Sequence, residues 1–111
     1  MSAITTHVLD TARGRPAAGV PVRLERVDRY DVRLLASATT NGDGRVPDLG
    51  PDQVEAGTYR LVFDVAAYSA ATGQECFFPE VSITFALTDP AQHHHVPLLL
   101  SPFGYSTYRG S

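Results

Sequence analysis

Apolar and polar residues alternate with a period of two along most of this chain, the signature of strands that bury one face. Over residues 4–11, Ile4, Thr6 and Val8 fall on one side and Thr5, His7 and Leu9 on the other. Arg13-Gly14-Arg15-Pro16 is turn chemistry. In residues 20–27, Val20, Val22 and Leu24 share a face opposite Arg23 and Glu25. The short polar stretch at Asp28 and Tyr30 predicts a hairpin into a return strand over residues 32–39. Asn41-Gly42-Asp43-Gly44 is the strongest turn signal, with Arg45 just after it at the start of a short strand. Residues 48–57 read as loop, and residues 58–63 place Tyr59, Leu61 and Phe63 on one face.

The alternation fails over residues 64–72. That stretch is rich in alanine and is followed by Gly73, which predicts one short helix with a glycine stop. Pro79 opens the next strand, where Val81, Ile83, Phe85 and Leu87 alternate with Glu80, Ser82 and Thr84. Asp89-Pro90 turns the chain into a histidine-led strand over residues 92–100. Ser101-Pro102-Phe103-Gly104 then leads to a last segment whose Tyr105, Thr107 and Tyr108 have strand composition, so the tail is expected to be ordered. Seven or eight short strands and one helix predict an all-β fold, an antiparallel β-sandwich. Pro97 inside a strand implies an edge position or a bulge. Exposed edges call for a partner, and homo-oligomerisation follows as an expectation.

Composition narrows the picture. A chain of 111 residues forms one domain. With 43 % hydrophobic and 19 % charged residues it is globular, not disordered. A net charge of −3 leaves no basic footprint for nucleic acid. No apolar run approaches the roughly 20 residues of a membrane span. The start MSAITTHVLD has neither a basic n-region nor an apolar h-region, so a cytoplasmic location is expected. Cys76 is the single cysteine; it suits a reducing compartment and reads as a small half-buried hydrophobe.

Three places carry candidate chemistry. His93 and His95 share one strand face, with His94 on the other. His7 stands on a face with Thr5 and Leu9, and Arg45 follows the glycine-rich turn. Paired imidazoles divide proton removal and delivery near neutrality, and a guanidinium offers a planar fork to a developing oxyanion. With no obvious nucleophile, the set suggests water attacking an activated carbonyl. The same residues also read as solvated surface groups. A third reading is a three-histidine zinc site of His7, His93 and His95, although no HExxH or CxxC accompanies it. Ser101 and Ser111 lack a nucleophile-elbow sequence. Residue types and spacing leave the function open at this point.

Longer stretches carry a resemblance. Thr6-His7-Val8-Leu9-Asp10, with Gly14 and Pro16-Ala17 after it, resembles the opening of the 5-hydroxyisourate hydrolases, transthyretin-like proteins of purine breakdown. His95-Val96-Pro97-Leu98-Leu99-Leu100-Ser101-Pro102 and Gly104-Tyr105-Ser106-Thr107-Tyr108-Arg109-Gly110-Ser111 resemble that family's C-terminal signature, with Asn41-Gly42-Asp43-Gly44-Arg45 in place between them. His94 departs from it, standing where a tyrosine is common. The resemblance implies a transthyretin-like sandwich of two four-stranded sheets with one short helix, assembled as a homotetramer, a dimer of dimers with the sites at the dimer–dimer channel. It implies hydrolysis of the small molecule 5-hydroxyisourate to 2-oxo-4-hydroxy-4-carboxy-5-ureidoimidazoline, with no cofactor and no metal. By resemblance the catalytic residues are His7, Arg45 and His95, and Tyr108, Arg109, Gly110 and Ser111 shape the substrate site. The alternative is a transthyretin-type carrier of a small ligand.

Overall fold

A computed structural model describes residues 2–111. The strands are β1 (Ile4–Asp10), β2 (Arg15–Pro16), β3 (Pro21–Val27), β4 (Val32–Thr39), β5 (Gly57–Asp64), β6 (Glu80–Leu87), β7 (His94–Ser101) and β8 (Gly104–Thr107). The helix α1 (Val65–Thr72) lies between β5 and β6. Two four-stranded sheets form, in the orders β2-β1-β7-β8 and β4-β3-β5-β6. Their inner faces meet through the residues that the period-two pattern put inside. Ile4, Val8, Val96, Leu98 and Leu100 come from one sheet, and Val22, Leu24, Tyr59, Leu61, Phe63, Val81 and Leu87 from the other. Burial of this apolar surface is the main driving force for the fold.

Three expectations change. The sandwich is not wholly antiparallel: β1 and β7 run parallel, from Ile4↔His94 to Asp10↔Leu100. Alternation reports which face a side chain takes, not the partner or direction of its strand. Pro97 also lies in an interior strand, with no edge position. The amide of His94 donates to Ala3 on the β1 side, whereas the His95 carbonyl accepts from Gly110 on the tail side. Pro97 has the parity of His95, so its missing N–H faces the tail and leaves the β1 ladder intact. The ladder with β8 ends at Leu98↔Thr107, skips Pro97, and resumes in the same register at His95↔Gly110. The hydroxyl of Thr107 donates to the Pro97 carbonyl at 2.7 Å and closes the gap.

Arg45 does not begin a strand. It makes one isolated antiparallel bridge to His7. The helix forms where expected. Asp64 caps its first turn by accepting from the Ala67 amide, and Gly73 closes it in the left-handed region at φ 67°. No helix among the described residues is long and apolar enough to cross a membrane.

One polar network ties α1 to β1. Asp10 is only 2 % exposed. The Tyr68 hydroxyl donates to its Oδ2 at 2.5 Å, the Gln74 amide donates to the same oxygen at 2.9 Å, and the Arg13 backbone N–H donates to Oδ1 at 3.0 Å. Burial alone would raise the Asp10 pKa, but these bonds outweigh it and hold the carboxyl below its ordinary value. Tyr68 is shifted up, by burial first and by Asp10 second. A carboxyl with a depressed folded pKa adds stability above its unfolded pKa, and that stability is lost as pH falls through the folded value. Tyr68→Phe should therefore cost about 1–3 kcal/mol near neutral pH. The gap from wild type should narrow as pH drops below about 4. Urea unfolding at a series of pH values measures both.

Candidate active site

Four chain segments build one outward-facing site. The first is β1, whose outward residues Thr5 and His7 are half-buried, unlike its inward Ile4, Thr6 and Val8. The second is β7: the parallel register sets Thr5 beside His95 and His7 beside Pro97. His94 points the other way, 4 % exposed, with its Nδ1 2.9 Å from the Gln92 carbonyl oxygen. The tyrosine-to-histidine departure at 94 thus falls on the face away from His95.

The third segment is the turn at residues 41–45, which brings in Arg45. The Asn41 side chain accepts from the backbone amides of Asp43 and Arg45, and the Asn41 amide donates to the Arg45 carbonyl at 2.8 Å. Gly44 lies against β1. Its carbonyl accepts from the Val8 amide at 2.8 Å, its φ is +74°, and a Cβ there would collide with the Val8 carbonyl oxygen. Only glycine meets both conditions.

The tail supplies the fourth segment. The Gly110 amide donates to the His95 carbonyl at 2.8 Å. A Cβ on Gly110 would stand 2.6 Å from His95 Cδ2 and 3.3 Å from Pro97 Cγ, so the tail backbone lies directly on the imidazole and the proline ring. Sequence reasoning had grouped four tail residues, and the fold separates them. Ser111 lines the same cleft as Arg45 and His95, with Thr5, Thr6, Asn41, Val46, Pro47 and His93; its volume is about 440 Å³. Tyr108 and Arg109 instead line a second cleft, of about 320 Å³, with β6 residues Ile83, Thr84, Phe85 and Ala86. His95 borders both clefts. The Arg109 guanidinium donates to Gln92 Oε1 at 2.9 Å.

His95 holds its proton less tightly than an ordinary histidine. Burial of the ring is the main cause; the neighbouring Arg45, His93 and His7 add to it. His7 meets Arg45 through the backbone bridge. So His7, Arg45 and His95, remote in sequence, lie near one another on the outward face of the β1–β7 pair. His7, His93 and His95 do not make the three-histidine metal site of the third reading: among the described residues no group of three or more His, Cys, Asp or Glu is placed to hold a metal ion.

Sequence reasoning missed Thr5. Its Oγ1 lies 2.9 Å from His93 Nε2 and 2.8 Å from His95 Nδ1. The period-two pattern put Thr5 on the face of His7, but nothing in the sequence announced that β7 would be its neighbour.

The profile of the HIUase/Transthyretin family matches residues 4–110. The chain is 50 % identical over 113 residues to the 5-hydroxyisourate hydrolase of Mus musculus, covering 99 % of this chain and 96 % of that one. Its fold is similar to that of the Klebsiella pneumoniae 5-hydroxyisourate hydrolase, with TM-score 0.85, 38 % identity and coverage of 97 % and 98 % of the two chains. Sea bream transthyretin, solved in complex with thyroxine, gives TM-score 0.91 at 28 % identity, with 97 % and 94 % covered. The match along nearly its whole length shows that the chain belongs to the HIUase/Transthyretin family.

Proposed function

We infer that this chain is a hydrolase that opens the ring of 5-hydroxyisourate at its cyclic amide, giving 2-oxo-4-hydroxy-4-carboxy-5-ureidoimidazoline. The observation that carries the reading is the meeting of Arg45 and His95 in one cleft with His7 paired to Arg45. A transthyretin-type carrier is the alternative, and the TM-score of 0.91 to sea bream transthyretin favours it as a fold. Backbone similarity does not separate the two. Sequence does: identity is 50 % to the mouse hydrolase and 28 % to that transthyretin. A carrier of an apolar ligand has no use for two imidazoles and a guanidinium on one face.

The geometry supports the following mechanism. His95 is the general base. Its Nδ1 is engaged by Thr5, which leaves Nε2 to take a proton from water. Arg45 donates to the carbonyl oxygen and holds the oxyanion of the tetrahedral intermediate. His7 delivers a proton to the departing ring nitrogen. Ser111 walls the cleft and Gly110 packs against the His95 ring, while Tyr108 and Arg109 bind substrate from the second cleft beside it. No cofactor takes part.

The active form is a homotetramer, a dimer of dimers whose sites face a channel between dimers. Two features support this. The edge strand β6 lies near the tail that follows edge strand β8, and Phe78, just before β6, meets Tyr105 of β8 edge-to-face at 5.3 Å. Phe103 and Tyr105, 66 % and 44 % exposed, leave apolar surface beside that edge. The lone Cys76 suits a reducing compartment such as the cytoplasm.

The test is the absorbance decay of freshly generated 5-hydroxyisourate with and without the protein. His7→Ala, Arg45→Ala and His95→Ala should each fold and lose about 10²–10⁴ in kcat/KM. A residue whose replacement leaves kcat/KM intact has no part in the chemistry. Gly110→Ala should lose roughly 10²-fold, because its methyl would push the tail off His95. Since burial and Arg45 favour neutral His95, the acid limb of kcat/KM should lie below about 6.5. In Arg45→Ala the limb of the residual activity should move up, toward the ordinary histidine value.

A further inference from the structure

The Thr5 hydroxyl stands between two imidazoles, 2.9 Å from His93 Nε2 and 2.8 Å from His95 Nδ1. The rings themselves do not meet: their centroids are 6.4 Å apart and their planes 34° from parallel. The parallel register places Thr5 beside His95, and His93 lies two residues before His95 on the same face. The contact is therefore a product of the topology.

A hydroxyl has one proton to donate and accepts at its lone pairs. With a ring nitrogen on each side, it donates to one and must accept an N–H from the other. Two proton arrangements satisfy both bonds. In the first, His95 Nδ1–H donates to Thr5, Thr5 donates to His93 Nε2, and the His95 Nε2 lone pair is free. In the second, both protons have shifted, and His95 carries its proton on Nε2. The tautomers of the two histidines are thus coupled through one oxygen.

We propose that Thr5 is a positioning residue for His95 and that its hydroxyl joins His95 and His93 into a two-proton relay, with His93 the outlet for the proton that His95 takes from water. The proposal rests on the reading of His95 as the general base. As water attacks, one of its O–H bonds breaks and an N–H bond forms at His95 Nε2. The Nδ1 proton of His95 passes to Thr5, the original hydroxyl proton of Thr5 passes to His93 Nε2, and the positive charge comes to rest on His93. His93 then releases its Nδ1 proton to solvent. His95 is left neutral with a proton on Nε2. A proton returned to His93 Nδ1 from solvent drives the reverse shift, His95 gives up its Nε2 proton to water in the cleft, and the starting arrangement is restored.

The direction has a physical cause. His95 is half-buried and His93 is exposed. Arg45 and His7 face His95 from the neighbouring turn and from β1, and both disfavour a cation there. Gly110, from the tail, adds only a backbone contact. Moving the charge to His93 takes it from a half-buried ring to one exposed to water.

The variants are Thr5→Val, which keeps the shape and loses the hydroxyl; Thr5→Ser, which restores it; His93→Gln; and the double variant Thr5→Val/His93→Gln. Thr5 faces outward on a strand, where valine is well accommodated. Thr5→Val should lower kcat about 10–100-fold with KM little changed, and Thr5→Ser should recover most of that loss. His93→Gln should match Thr5→Val, and the double variant should be no worse than either, because both break one chain of protons. In H₂O–D₂O mixtures the wild-type rate should follow a bowed curve, as several protons move together, and Thr5→Val a straight line. Wild-type kcat in Thr5→Val, or full additivity in the double variant, overturns the relay. If His95→Ala is inactive while Thr5→Val is fully active, the relay fails and the base assignment stands. If His95→Ala is fully active, both fail.

Discussion

The parallel pairing of β1 with β7 is the contact on which the rest depends. It joins residues about ninety positions apart, running without interruption from Ile4↔His94 to Asp10↔Leu100. On its inner side it delivers Ile4, Val8, Val96 and Leu98 to the core. On its outer side the same register puts Thr5 against His95 and His7 against Pro97. A slip of one residue would turn every one of these side chains to the opposite face, so the core that fixes the register also fixes the site. Stability and chemistry draw on one ladder.

Two glycines allow other backbone to close on that ladder. Gly44 carries the Arg45 turn onto β1, where any side chain would strike the Val8 carbonyl. Gly110 lets the tail lie on the His95 and Pro97 rings. Between them the imidazole is walled from two sides, and burial is the leading cause of its weakened hold on a proton. Pro97 belongs to the same arrangement. Its missing donor faces the tail, interrupting the ladder at Tyr108 and Arg109, and these two residues turn to the second cleft before Gly110 pairs again with His95.

The far end of β1 is held differently. There Asp10 collects donors from Tyr68, Gln74 and the Arg13 amide, so the helix is tied to the first strand by a buried charge with its hydrogen bonds met. Inward apolar contacts are similar all along the sandwich. This network is specific to one strand end and one helix, and it gives α1 a fixed seat that its alanine-rich sequence alone does not supply.

Much was legible in the chain itself. Alternation placed the strands and their inward residues, because side-chain direction in a strand is a local property of the backbone. Gly73 marked the end of the helix for an equally local reason, its freedom to turn left-handed. The family motifs marked His7, Arg45 and His95. What the chain did not reveal was strand partnership: the parallel β1–β7 pair, Pro97 in an interior strand, Thr5 between two histidines, and the parting of Tyr108 and Arg109 from Gly110 and Ser111. Each depends on which strand lies beside which, and that is set by how two sheets close over one core, an interaction among residues far apart in the sequence. The sequence by itself determined the faces and the ends of the elements; the tertiary packing decided the neighbours, because contact between distant segments has no local signal.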